Sequence, residues 1–288
     1  MIKEFVLLSS PNLTRFEVVK YGYQVYTMHE RYTNRERYFQ EQSFTTERFV
    51  IPFIREVAPV NPESKVLEIG SGEGGNLKPF VDMGCLVYGI DLSTSKITNG
   101  IKFFENHPNN KNIKLIAEDI YKSDLSSLPK FDIIMLRDTL EHIYDQDKFL
   151  EHLKSFMAPG GKVFLGFPPW YMPFGGHQQI CESKFLRKLP YFHLLPRFMY
   201  KGILKMFGES DAKITNLMEV WDTRISINRF KRIINKRNFT IEKETFYMIN
   251  PNYEVKFNLK TRALPKILNI PILRDFITTT YYCVISLK

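Results

Sequence analysis

The chain has 288 residues, 44% of them hydrophobic, with 40 Lys+Arg against 31 Asp+Glu and a formal net charge of +9. That length allows one large or two modest domains. It contains no run of 18 or more apolar residues, so no membrane-spanning helix is expected, and Phe5-Val6-Leu7-Leu8 is too short for the apolar stretch of a secretory signal.

Residues 1–60 are rich in aromatics, namely Tyr21, Tyr23, Tyr26, Tyr32, Tyr38, Phe39, Phe44 and Phe49. Thr45-Thr46-Glu47-Arg48-Phe49-Val50-Ile51 suggests a helix start, and Pro59 and Pro62 mark a break after it. Next comes Val66-Leu67-Glu68-Ile69-Gly70-Ser71-Gly72-Glu73-Gly74-Gly75, which reads as an apolar strand running into a glycine-rich turn. A helix is expected from about Asn76. Glycine tolerates positive φ and has no Cβ, so the backbone can turn sharply and approach a ligand. The N–H groups of the following helix then suit an anionic ligand group. Gly70, Gly72 and Gly75 satisfy G-x-G-x-x-G, and Asp91 lies 21 residues beyond Gly70, where a dinucleotide's ribose-binding acid belongs. Glu68 argues against a dinucleotide, because a carboxylate at the strand end repels a pyrophosphate and suits an ammonium group.

Glu68, Gly70, Gly72 and Gly74 match E/D-x-G-x-G-x-G position for position. In this the chain resembles the class I S-adenosylmethionine-dependent methyltransferases of small-molecule type. The resemblance continues down the chain. A second strand, Leu86 to Ile90, leads to Asp91 and Leu92, and a third, Ile113 to Ala117, leads to Glu118, Asp119 and Ile120. In the family the first acid accepts hydrogen bonds from the ribose hydroxyls. The second accepts from the adenine amino group, with an apolar neighbour against the ring. A fourth strand, Phe131 to Leu136, runs into Arg137-Asp138-Thr139-Leu140-Glu141-His142-Ile143. A helix from about Asp145 to Met157, the turn Ala158-Pro159-Gly160-Gly161 and a fifth strand, Lys162 to Phe167, follow. The cofactor implied is S-adenosyl-L-methionine, held by Glu68, Gly70, Ser71, Gly72, Gly74, Asp91, Leu92, Asp119, Ile120 and Arg137. The fold implied is an α/β, Rossmann-like three-layer sandwich with a seven-strand, mostly parallel sheet and a helical cap inserted after strand 5.

Four segments are expected: an aromatic-rich lid (1–60), the cofactor core (61–169), a basic cap (170–222), and a C-terminal helix with closing strands (223–288). The tail reads as a helix at about Thr223 to Lys236, a strand near Thr240 to Met248 and a last strand at Thr278 to Leu287. Residues 170–288 hold 20 Lys+Arg against 9 Asp+Glu, whereas 61–169 hold 12 against 15. The basic excess therefore lies where the acceptor is expected, and such a field attracts acidic partners. In the cap, Lys184, Arg187, Lys188, Arg197, Lys201 and Lys205 are interleaved with large apolar residues, and Pro190 and Pro196 should break the segment into short helices. This pattern suits a peripheral membrane contact, a grip on an anionic and greasy substrate, or a lid packed on the sheet.

Phe167-Pro168-Pro169-Trp170 resembles the signature of exocyclic-amine methyltransferases that act on nucleic acid bases, but those enzymes carry it after strand 4 and here it follows strand 5. Trp170 and Tyr171 wall a pocket or pack in the core. Two histidines fall on loops at the carboxyl ends of strands, where open α/β sheets bind ligands. They are His142 in Leu140-Glu141-His142 and His177 in Gly175-Gly176-His177-Gln178. Either is a candidate general base, with Asp138 as a third catalytic candidate. Neither histidine need be more than structural. The paired acids and asparagine of the catechol-type, magnesium-using relatives are not evident after strand 4, so no metal is expected.

The acceptor expected is a small or lipid-linked, anionic molecule methylated on a hydroxyl, such as a glycan precursor, a quinone-like ring or an isoprenoid. RNA or protein as acceptor, a nicotinamide-dependent oxidoreductase, and a cofactor-binding protein without catalysis are the rival readings; no RNA-binding module is visible. Cys85, Cys181 and Cys283 are few, odd in number and far apart, which points to a reducing cytoplasm.

Overall fold

The computed structural model describes residues 34–121 and 128–288. Tyr21, Tyr23, Tyr26 and Tyr32, and with them most of the expected lid, lie outside the described residues. Eight strands form one sheet: β1 (Lys65–Ile69), β2 (Leu86–Asp91), β3 (Ile113–Ala117), β4 (Phe131–Arg137), β5 (Met157–Phe167), β6 (Phe239–Ile249), β7 (Arg262–Ala263) and β8 (Thr280–Leu287). Their order is β3-β2-β1-β4-β5-β8-β6-β7. The first five run parallel, and β8 lies antiparallel between β5 and β6. The order reverses between β1 and β4, and the crevice at such a switch point is where open α/β sheets bind ligands. The seven expected strands are present. The eighth, β7, is a two-residue ribbon on the edge of β6.

Burial on both faces explains why the strands read as continuous apolar runs. Alternation sends Leu67, Ile69, Ile134 and Leu136 to one face and Val66, Ile133 and Met135 to the other. The helices include α1 (Arg35–Thr45), α2 (Ile51–Arg55), α3 (Lys78–Asp82), α4 (Thr94–Phe104), α5 (Gln146–Leu153), α6 (Arg197–Met206), α7 (Asp211–Thr223), α8 (Ile227–Lys236), α9 (Asn252–Phe257) and α10 (Leu273–Ile277). Residues of α1, α2, α3 and α4 share a core with Val66 and Met135, while those of α5 and α8 share one with Leu67 and Leu136. Helix α8 shows how this follows from sequence. Ile227, Phe230 and Ile234 recur at helical spacing and are buried, and the Ser226 side chain accepts from the Arg229 N–H. Each fully buried side chain of this size contributes about 2 kcal/mol.

Several boundaries differ from the sequence reading. The helix expected to begin near Thr223 starts only at Ile227. Arg224 adopts a left-handed φ of 41°, and the carbonyl of Ile225 accepts from the N–H of Trp170 at 2.8 Å, which holds 224–226 out of the helix. The helix after strand 4 ends at Leu153, and β5 begins at Met157, pairing with Phe131 before bulging through 158–161 to rejoin at Lys162. The glycine loop makes a turn through Asn76, and regular helix begins at Lys78. The cap has a small core of its own, in which Leu186, Phe192, Tyr200, Leu204, Ile214 and Leu217 pack together. Pro190 and Pro196 separate its short helical pieces as expected.

Candidate functional site

The carboxyl ends of β1, β2, β3 and β4 surround a cavity of about 630 Å³, within the size range of small-molecule sites. Its lining includes Gly70, Asp91, Leu92, Asp119, Ile120 and His142 from the sequence reading. It also includes Tyr121, Thr139, Tyr144 and Lys148, to which the sequence reading gave no role.

Gly70, Gly72 and Gly74 all have positive φ, at 78°, 56° and 82°. The backbone thus demands glycine at the three positions of E-x-G-x-G-x-G. Gly75 has a different reason to be glycine, since a Cβ there would lie 2.6 Å from the Phe39 carbonyl of α1. A Cβ at Gly70 would strike the Thr139 side chain, whereas one at Gly72 would meet only Lys96 Cδ, in ordinary contact at 3.9 Å. Asp91 braces the loop. Its Oδ2 accepts from the Gly72 N–H and its Oδ1 from the Ser93 N–H, both at 2.8 Å. Each oxygen keeps a second lone pair for a ligand hydroxyl. Asp119 accepts from the Tyr121 N–H at 3.0 Å, and Ile120 beside it is buried.

Glu68 points to the face shared with Val66 and Met135 and is fully buried. Its Oε1 accepts from Asn76 Nδ2 at 2.6 Å, and Asn76 Oδ1 accepts from Arg137 Nη1 at 2.7 Å and from the Thr46 hydroxyl at 3.2 Å. Glu68 Oε2 and Ser71 Oγ are buried without a hydrogen-bond partner among the described residues. Burial pushes the Glu68 carboxyl up to about 8, against the hydrogen bond from Asn76 and the charge of Arg137. Arg137 lies under α1 and its π-turn continuation, away from the cavity lining, so it braces Asn76 and Glu68. Asn76, Thr46 and the bidentate pair between Arg35 and Glu73 (2.7 and 2.6 Å) are supporting residues that the sequence reading missed. They come from α1 and the turn after the glycines, and only the fold brings them to the loop.

Beyond β4 the chain takes a left-handed turn at Asp138 (φ 52°), whose N–H donates to the Gly166 carbonyl of β5. A single 3-10 turn, Leu140–His142, then buries Glu141 and leaves His142 on the cavity rim. His177 arrives from the loop after β5, also left-handed at φ 56°, and its ring meets His142 edge-on at 5.1 Å. The two alternative bases therefore stand together, with Glu141 Oε1 3.8 Å from His177 Nε2. Burial, then the neighbouring His142 and His193, pushes His177 down to about 3. Desolvation and the charge of Lys96 lower His142 as well. Trp170 is buried against His193 and Trp221, while Tyr171 is half-exposed and stacks on Phe276, so neither lines the cavity.

The order of the strands, the glycines at positive φ and the acids on successive strand ends define a doubly wound domain of the class I methyltransferase type. The chain belongs to the family described as "Methyltransferase domain", whose model matches residues 39–186, and the cofactor of this family is S-adenosylmethionine. Among curated proteins it is similar to a phosphoethanolamine N-methyltransferase of Caenorhabditis elegans (28% identical over 118 residues, 40% of this chain and 26% of that one). It is also similar to a ubiquinone biosynthesis O-methyltransferase of Coxiella burnetii (30% over 100 residues, 35% and 42%). The chain thus spans well under half the length of these curated relatives. Among solved structures, a magnesium protoporphyrin IX methyltransferase from Synechocystis with bound SAH superposes with a TM-score of 0.51 at 13% identity, covering 86% of this chain and 84% of that one. A geranyl diphosphate methyltransferase in complex with SAM gives 0.51 at 12% identity, covering 84% and 83%. These two likenesses are to the fold.

The residues present fit S-adenosylmethionine. Asp91, Asp119 and Ile120 in the cavity lining suit its ribose and adenine, while Glu68 lies outside the lining, fully buried, with one carboxylate oxygen unpartnered among the described residues. When bound, the cofactor supplies an electrophilic methyl group on a sulfonium.

Proposed function

We propose that this chain methylates a hydroxyl of a small or lipid-linked acceptor that carries phosphate or carboxylate. The observation that carries the reading is one cavity lined both by acids at the ends of β2 and β3 and by His142, whose ring meets that of His177. Glu68, Gly70, Ser71, Gly72, Gly74, Asp91, Leu92, Asp119 and Ile120 hold the cofactor, and Arg137 keeps Glu68 in place. His142, in the cavity lining, offers a ring lone pair toward the acceptor hydroxyl, with His177 against it and Asp138 four residues before it in the chain. Methyl transfer is an in-line displacement, so holding the acceptor oxygen in line accounts for much of the rate. The similarity to O-methyltransferases of ubiquinone biosynthesis supports a hydroxyl acceptor.

The surface of the cap supports an anionic and greasy partner. Phe198 and Met206 are 77% and 74% exposed on α6, and Phe185 and Phe207 stack in the open at 5.7 Å. Lys184, Lys188, Lys201 and Lys205 are exposed around them. Apolar side chains ringed by lysines suit a membrane interface. No helix among the described residues is long and apolar enough to cross a membrane.

The test is transfer of labelled methyl from S-adenosylmethionine into fractionated cell extract. Label in the small-molecule or organic-soluble fraction is expected. Label in RNA or protein instead would refute the proposed acceptor class.

A further inference from the structure

Glu141 stands out among the buried groups. Its carboxylate is 3% exposed, yet neither oxygen has a hydrogen-bond partner among the described residues. A buried carboxylate in that condition is costly unless a proton or a cation completes it. Two imidazoles stand beside it, and the Asp138 carboxylate also acts on it as a like charge. One nitrogen each of His142 and His177 and one oxygen of Glu141 all lie within 4.8 Å of one another. Bonds of about 2.1 Å to a central ion place neighbouring donors about 3 to 3.4 Å apart, so Glu141 Oε1 and His177 Nε2, 3.8 Å apart, and the other donor pairs, within 4.8 Å, must draw together to share one ion.

The loop that carries His177 is built to hold it still. Gly175 packs against the Trp170 carbonyl and Gly176 against the His193 side chain, with no room for a Cβ at either. His193 is fully buried. Its Nε2 donates to the Trp170 carbonyl at 2.8 Å, and its Nδ1 accepts from Gln178 Nε2 at 3.2 Å, which fixes the tautomer. Gln178 Nε2 also donates to the Pro173 carbonyl at 2.9 Å. On the other side, the Thr223 hydroxyl at the end of α7 donates to the Glu141 backbone carbonyl. Rigid support behind a donor is what a metal ligand needs.

We propose that Glu141, His142 and His177 form a binding site for one divalent transition-metal cation beside the cavity that His142 lines. Two imidazoles and one carboxylate suit Zn²⁺, Co²⁺, Mn²⁺ or Fe²⁺, with positions left open for other ligands. The sequence reading expected no metal, on the absence of the catechol-type acids, and this proposal departs from it. His142 lines the cavity, so an ion here would meet an acceptor oxygen and favour its deprotonated form. That last step rests on the methyl-transfer reading, whereas binding of the ion does not.

The experiment is titration of the chelator-treated full chain with Co²⁺ in the absence of cofactor and acceptor, followed by visible absorption and calorimetry. One saturable equivalent with a d–d spectrum is expected, displaced by Zn²⁺. Glu141→Gln and His177→Gln should each weaken it by at least tenfold, while His107→Gln, at an exposed pair with Asp82 far along the chain, should not. Should Glu141→Gln fail to fold, His177→Gln decides, because its ring sits on a loop and is 23% exposed. No saturable equivalent, or undiminished binding by the folded variants, would overturn the site and leave Glu141 as a buried, protonated acid. Failure of methyl transfer alone would leave this result untouched.

Discussion

The cofactor end and the cap are built on different principles. At the cofactor end the backbone makes the site. Three glycines adopt positive φ, Asp91 holds two backbone amides, and a buried relay from Glu68 through Asn76 to Arg137 and Thr46 supports the loop. In the cap, a small core of its own carries an exposed surface of lysines and large apolar side chains. Backbone-made sites tolerate few residue types at each position, while side-chain surfaces tolerate many. The first therefore specifies a ligand and the second only a class of partner.

The sharpest way to break this contrast is to add one carbon to the glycine loop. Gly70→Ala forces both a left-handed alanine and a clash with Thr139, and should cost about 3 kcal/mol of stability. Gly72→Ala meets only an ordinary contact with Lys96 and should cost about 1 kcal/mol, from backbone strain. Thermal melting separates the two, and equal losses would show that the loop is not held as described. Next in size is Asp91→Ala. It strips the acceptor from two amides and from the ribose, so cofactor affinity should fall about a hundredfold, or about 2.7 kcal/mol. A loss under threefold in calorimetry would remove Asp91 from the site.

Glu68 gives a smaller effect with a definite sign. Its pKa in the folded protein, about 8, lies above its ordinary 4.5. Between those values the folded chain keeps a proton that the unfolded chain has released. The free protein should accordingly lose stability as pH rises from about 4.5 toward 8. A cationic ligand favours the ionised form, so binding should release a proton and tighten about tenfold from pH 7 to pH 9. Calorimetry in buffers of different ionisation enthalpy reads the proton directly, and Glu68→Gln should abolish both effects. A proton count of zero in the wild type would contradict the role given to Glu68.

The smallest effect concerns the cap. Phe198→Ser with Met206→Ser should weaken sedimentation with anionic vesicles about tenfold and leave cofactor affinity unchanged. Equal vesicle binding by wild type and variant would remove the membrane from the reading.

What could be read from sequence follows the same division. Strand positions, the glycine loop and the acids at 91 and 119 were legible because strand alternation and backbone sterics limit what those positions can be. The relay through Asn76 and Thr46 was not, since it joins residues from separate elements through side-chain hydrogen bonds. Arg137 illustrates the point. It was expected at the cofactor, but alternation along β4 turns it to the face under the N-terminal helices. His142 and His177 were each visible as a loop histidine, but only the left-handed turns at Asp138 and His177 bring them to Glu141. The break at Arg224 was hidden because it depends on the bond between Ile225 and Trp170, far apart in the chain.

The most direct measurement is calorimetric titration of the purified chain with S-adenosylmethionine, S-adenosylhomocysteine and NADH. Micromolar binding of the first two and none of NADH is the expected result. Binding of NADH alone would contradict the assignment of the glycine loop and of Glu68, and with it the methyl-transfer reading.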